Sequence, residues 1–173
     1  LPLALATAGA YLDQVATSFA DYLRLYKASW LKLQHTSPEL SSYEDRALYS
    51  TWQLSLDHIK RQNELSARLL QLWAYFDNQD IWFELLHHSI SGSPEWFSQL
   101  TEGELSFNQA VRVLCDHGLA EADISSEESG VESKGYSMHS CVHSWTIHFL
   151  NQEWDVGMTG LALECVGSHV PDR

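Results

Sequence analysis

Within a few residues of His139 the chain changes its hydrophobic period, and that switch limits what it can fold into more than any other feature. Tyr136 and Met138 alternate with polar neighbours, as in a half-buried strand, whereas Val142, Trp145 and Phe149 recur at spacings of three and four, as on one face of a helix. No glycine or proline separates the two patterns, so the strand-to-helix junction falls on His139-Ser140. The first N–H groups of a helix have no partner within the helix, and a histidine at this corner holds its imidazole beside them. Such a corner suits anions, phosphate above all.

The chain leading to this corner is mostly helical in pattern. Leu1-Pro2-Leu3-Ala4-Leu5-Ala6 is small and apolar and predicts a buried helix over residues 1–12, with Pro2 in the first turn, where its missing N–H costs nothing. Ser18 with Asp21 forms a capping-box variant opening a second helix. Its stripe is Phe19, Leu23, Tyr26, Trp30 and Leu33, and it stops before Ser37-Pro38. Thr36 to Ser42 is the one plausible subdomain boundary in the first half. Ser41 and Glu44 offer another capping box, for a helix with Leu48, Trp52, Leu56 and Ile59 on one side. The next carries Leu65, Leu69, Leu72 and Phe76. Asp77 to Asp80 is a polar turn before a short helix through Ile81, Leu85 and Leu86, and Ser93-Pro94-Glu95 signals a further start, with Trp96 and Phe97 as its apolar side.

Ser106 and Gln109 suggest a capping box for a helix bearing Phe107, Ala110, Val111 and Leu114, closed by Gly118. Beyond it Ala120, Ala122 and Ile124 alternate with acids. Ser125 to Gly135 is acidic and turn-rich, and Tyr136 to Met138 is the return strand. Helices followed by a hairpin give the winged-helix order. Two final helices are expected, at about Cys141–Gln152 and Asp155–Val166. The fold class is therefore mainly α: a helical subdomain plus a winged-helix domain with one β-hairpin. The expected divisions are 1–40, 44–152, and a linker helix beginning in 153–173.

Charge narrows the partners. Ten basic against 23 acidic residues give a formal net charge of −13, and binding to a phosphate backbone rests on Lys and Arg releasing counterions. Nucleic acid and anionic membranes are thus poor partners. A free-standing winged-helix regulator of DNA would need a basic recognition helix, and the candidate, Phe107–His117, carries Arg112 as its one Lys or Arg. A plain protein-interaction module is a third possibility. No apolar run approaches the roughly 18 residues of a membrane span, and no signal peptide is visible. The chain starts on Leu rather than Met, so a segment of a longer protein is expected. Cys115, Cys141 and Cys165 form an odd number without framework spacing, as in reduced intracellular proteins.

Nucleotide hydrolysis needs a glycine-rich loop ending in Gly-Lys-Ser/Thr and an apolar strand ending in acids to manage magnesium. No Gly here is followed by Lys, so this chain is not expected to be an enzyme by itself. Even so, it resembles the NB-ARC-type STAND ATPases, nucleotide switches found in plant resistance proteins, apoptosome scaffolds and fungal NOD-like receptors of innate immunity. Met138-His139, with Val142 and Trp145 on the following helix, is similar to the family's "MHD" motif, and Leu1-Pro2-Leu3-Ala4 to the end of its "GLPLA" motif. The runs Tyr49–Leu56, Leu69–Phe76 with Asp80-Ile81, and Ala110–Leu114 with His117-Gly118-Leu119 resemble its winged-helix segments. The resemblance implies that Pro2 packs at a nucleotide base and that His139 contacts the β-phosphate of ADP in a closed state. It also implies that ADP or ATP binds only within the full-length parent, in the cytoplasm. The partners it implies are the nucleotide-binding core of the same chain and C-terminal repeats, with possible oligomerisation of the parent. Ser140 departs from the motif, whose third position is Asp in many members, which leaves the aspartate's contact unfilled.

Plainer readings stand beside these. His139 could simply cap its helix and Pro2 simply begin one. His139, Cys141, His143, His148, Cys115 and His117 lie close enough to raise zinc, yet no Cys-x-x-Cys occurs and structural zinc wants four ligands in short-gap pairs, so no metal is expected. His87-His88 lacks a nucleophile pattern and better fits a helix end. The tryptophans fit a core.

Overall fold

The computed structural model describes residues 2–36, 43–79, 81–87, 92–123 and 134–169. Seven helices come first: α1 (Pro2–Val15), α2 (Phe19–Thr36), α3 (Tyr43–Gln62), α4 (Glu64–Trp73), α5 (Phe83–Leu86), α6 (Glu95–Leu100) and α7 (Glu104–Asp116). Strands β1 (Glu121–Ala122) and β2 (Tyr136–Ser137) follow, then α8 (Ser140–Trp145), which runs into a π-helical turn at Thr146–Leu150, and α9 (Val156–Gly167). The chain is mainly α with one small antiparallel sheet, in which Glu121 faces Ser137 and Ala122 faces Tyr136.

Local signals account for several boundaries. The Ser18 hydroxyl donates to the Asp21 carboxylate at 2.7 Å and accepts the Asp21 N–H at 3.1 Å, so the expected box opens α2. Asn63 caps α4 by accepting the Ser66 N–H at 3.2 Å. At the end of α7, Gly118 takes φ +68°. Its N–H donates to the Cys115 carbonyl and the Leu119 N–H to the Leu114 carbonyl, both at 2.9 Å, the paired bonds of a Schellman motif.

Other expectations are corrected. Ser106 is no cap: α7 starts two residues earlier, from an extended Gly103, and the Ser106 hydroxyl instead donates to the Gln99 carbonyl at 2.7 Å, tying α7 to α6. Ile81 is not helical, since its N–H and carbonyl exchange hydrogen bonds of 2.9 and 2.8 Å with Tyr136 in an isolated antiparallel bridge. The residue after the polar turn thus adds a third extended position beside β2, and α5 begins only at Phe83. α1 is a helix but not a buried one, because Thr7 and Tyr11 go inside while Pro2, Leu5 and Ala6 are exposed. Strand β1 spans two residues, and Ala122 is exposed where alternation expected it to share the buried face of Ala120. The box at Ser41 and the tract 125–133 lie outside the described residues.

Packing gathers around α3. Trp52, Leu56 and Ile59, the stripe read from the sequence, are fully buried with Leu69, Leu70, Leu72 and Trp73 of α4, Phe107 and Leu114 of α7, and Val142 and Trp145 of α8. A second, smaller cluster joins Tyr11, Tyr22 and Leu54 where α1 and α2 lie on the other side of α3. On α2 the stripe read from the sequence is buried only in part, and it missed Tyr22. Tyr22 and Leu33 are buried, Tyr26 and Trp30 are half-buried, and Phe19 and Leu23 stand in solvent.

Candidate functional site

His139 sits where the period switch put it, between β2 and α8. Its backbone (φ −58°, ψ 137°) is extended while its carbonyl already accepts the His143 N–H at 3.0 Å, which makes it the N-cap of α8. The ring completes the cap, with Nδ1 accepting the Cys141 N–H at 3.2 Å. An accepting Nδ1 fixes the neutral ring as the Nε2–H tautomer, and the residue is exposed, so a single N–H donor is offered outward from a helix start.

This corner is tied down on both sides. The Met138 N–H donates to the Asn78 carbonyl at 2.7 Å, and the Asn78 Nδ2–H donates back to the Met138 carbonyl at 3.0 Å, so the polar turn clamps the residue before His139. Four residues on, His143 Nε2–H donates to the Phe76 carbonyl at 3.0 Å and anchors α8 to the end of α4. The π turn is closed by Asn151, whose side chain reaches the Gln71 and Thr146 carbonyls at 3.2 and 3.0 Å. The sequence marked Asn78 only as part of a polar turn and Asn151 not at all, since the Asn78–Met138 and Asn151–Gln71 bonds bridge long stretches of chain.

Beside the corner, Ser140, Cys141 and Ser144 of α8 and Leu48, Tyr49 and Trp52 of α3 line an open groove of about 210 Å³. Ser140, at the motif's third position, is exposed. The Nε1–H groups of Trp52 and Trp145, whose rings lie 5.7 Å apart, are buried without a hydrogen-bond partner.

Pro2 begins α1, as its first-turn position implied, but is exposed rather than inside a buried helix. Pro2 and His139 thus open two different helices, and no hydrogen bond joins them. Farther along, α1 meets the α7 turn, where a Cβ added at Gly118 would lie 3.4 Å from the Thr7 methyl.

The candidate zinc ligands are dispersed to other duties. His143 holds the Phe76 carbonyl, His139 holds its own helix, and His117 is buried against His58 at 5.5 Å between ring centres. Among the described residues no three His, Cys, Asp or Glu side chains gather as a metal site. Burial pushes the Cys115 thiol up to about 11. His87 is the C-cap of α5, donating from Nδ1 to the Thr101 carbonyl at 2.9 Å and stacking on Phe83. On the would-be recognition helix, exposed Arg112 lies 3.9 Å from Asp116. Among the described residues no helix is long and apolar enough to cross a membrane.

Comparison with protein-family models, with curated proteins and with solved structures finds no match to this chain.

Proposed function

We propose that this chain is the regulatory segment of a STAND-type nucleotide switch. In this reading it comprises the end of a helical subdomain (1–40), a winged-helix domain (44–152) and the start of a linker helix (153–173). It contacts ADP bound to a nucleotide-binding core of the same protein and passes the nucleotide state on to C-terminal repeats. The observation that carries the reading is the His139 corner. Its ring commits Nδ1 to its own helix and leaves the Nε2–H of an exposed residue beside a helix start that Asn78 and His143 tie down. A donor so fixed costs little to reorganise when a phosphate arrives.

Two further features support it. The bridge between Ile81 and Tyr136 gives the order helix, one bridged residue, the single-turn α5, helix, helix, strand, return strand, which suits a winged helix with one added turn. The groove at the corner, about 210 Å³ and open, falls short of the roughly 300–1,000 Å³ of ligand pockets, as suits a surface completed by another domain. The division at residue 40 is not a clean cut on this reading, because α3 contributes Leu54 to one cluster and Trp52, Leu56 and Ile59 to the other.

The mechanism is one of differential affinity: the nucleotide acts only as far as it binds one state more tightly than the other. A hydrogen bond to a charged phosphate is worth about 1.5–3 kcal/mol. If His139 makes it in the closed state alone, His139→Ala raises the open population about ten- to a hundredfold. The test is ADP release and oligomer size in the full-length parent. Exposed His148 serves as the control, because His143 is a structural anchor. Wild-type ADP retention in His139→Ala would reduce His139 to a helix cap and end this reading.

A further inference from the structure

Cys141 is the one exposed thiol of the three, and it stands in a groove rather than on open surface. Cys165 is fully buried and Cys115 half-buried, and burial pushes both thiols up to about 11. The thiolate is the nucleophile, so near neutral pH these two react slowly. Cys141 lies in the first turn of α8, and its own N–H is taken by His139 Nδ1 at 3.2 Å. That bond fixes the backbone that carries the thiol.

Two helices wall the groove. Leu48, Tyr49 and Trp52 come from positions i, i+1 and i+4 of α3, and Ser140, Cys141 and Ser144 from the same spacing on α8. Its volume of about 210 Å³ equals roughly seven waters at about 30 Å³ each, so the occupant is small. Trp52 lines the groove although it is fully buried, and its Nε1–H has no hydrogen-bond partner. A buried donor left unpaired is costly, and an acceptor entering the groove removes that cost.

The lining selects the chemistry of that occupant. None of the described lining residues is charged, and the stretch from Gly135 to His169 has no Lys or Arg. A carboxylate or phosphate finds no counter-ion there, so an uncharged molecule fits. The polar groups on offer are the exposed Ser140 and Ser144 hydroxyls and the indole N–H, donors that suit a carbonyl oxygen. Leu48, Tyr49 and Trp52 give its hydrocarbon part an apolar wall. A thiol beside a carbonyl held by donors is the arrangement for conjugate addition.

We propose that the groove between α3 and α8 is a covalent binding site for small, uncharged α,β-unsaturated carbonyl compounds, with Cys141 as the nucleophile. The Cys141 thiol gives its proton to water, and its sulfur bonds the β-carbon. The π pair of the C=C bond moves towards the carbonyl, whose oxygen gathers negative charge against the indole N–H and the serine hydroxyls. Water then returns a proton to the α-carbon. The thiol has added across the double bond, and nothing is oxidised or reduced. The inference is independent of the nucleotide reading.

The probe is 2-cyclohexenone, raised in steps to its solubility limit near neutral pH, with intact mass and peptide mapping as the readout. One adduct per chain should form, on Cys141, at a rate that saturates with enone concentration because binding precedes bonding. The reference reagent is 2-hydroxyethyl disulfide, which reports thiol exposure and ionisation but carries no carbonyl. Trp52→Phe keeps an aromatic ring in the groove and removes the donor, so the enone rate relative to the disulfide rate should fall roughly three- to tenfold. Trp52 is a core residue, so Ser144→Ala, at an exposed position, repeats the test and should lower the same ratio. A wild-type enone rate that rises linearly throughout, as for a free thiol, overturns the proposal. So does first addition at Cys115 or Cys165, or a ratio that neither variant changes.

Discussion

Acid should weaken this fold through one buried ring. His117 is 1% exposed at the end of α7, its Nδ1 has no hydrogen-bond partner, and its ring lies 5.5 Å from that of His58 on α3. Tyr11 of α1 covers His58 edge-on at 6.1 Å, Thr7 sits on the adjacent Gly118, and Arg61 adds a positive charge beside His58. Burial above all, with repulsion from His58 second and only partly offset by Asp116, holds His117 down to about 4 from an ordinary 6.5. The sign follows from linkage. Above pH 6.5 neither state binds the proton and nothing is lost. Below it the unfolded chain takes up a proton that the folded chain refuses until about pH 4, so stability falls as pH falls across that window. Between pH 7 and pH 5 the loss is about 2 kcal/mol at roughly 1.4 kcal/mol per pH unit. Urea unfolding of wild type and His117→Phe at both pH values checks it, since the carboxylates and the other histidines are common to the two proteins. Wild type should lose about 2 kcal/mol more than the variant over this interval. Parallel stability curves would refute the argument and show that water reaches the ring.

Three further outcomes concern the His139 corner and its supports. His143→Ala should cost about 1 kcal/mol in urea unfolding by freeing the Phe76 carbonyl, whereas His148→Ala, exposed on the π turn, should stay within about 0.5 kcal/mol of wild type. Asn78→Ala removes the donor to the Met138 carbonyl and should destabilise by about 1–2 kcal/mol, with faster amide exchange at Met138 and Cys141 as the local sign. Gly118→Ala forces a side chain into the left-handed region at φ +68° and should cost about 1–2 kcal/mol of thermal stability; the contact at 3.4 Å from Thr7 is ordinary, so the backbone carries the effect.

The sequence by itself determined what depends on neighbours within a turn or two. The Ser18–Asp21 box, the Gly118 turn, the stripe of α3 and the position of His139 at a helix start all rest on short-range geometry, and each is where its residues imply. The same local logic read Ile81 as helical and Ser106 as a cap, because an apolar residue or a serine has several local uses. The choice was made by Tyr136 across the sheet and by the Gln99 carbonyl of α6. Only the tertiary structure decided that Asn78 clamps Met138 from 60 residues away, that His143 is an anchor rather than a bystander, and that α2 turns Tyr22 inward and leaves Phe19 and Leu23 outside. Periodicity shows that a helix has an apolar face. Which side of an apolar helix is buried depends on the volume its neighbours leave, and here the cluster with α1 and α3 takes Tyr22 fully and Leu25 and Tyr26 in part.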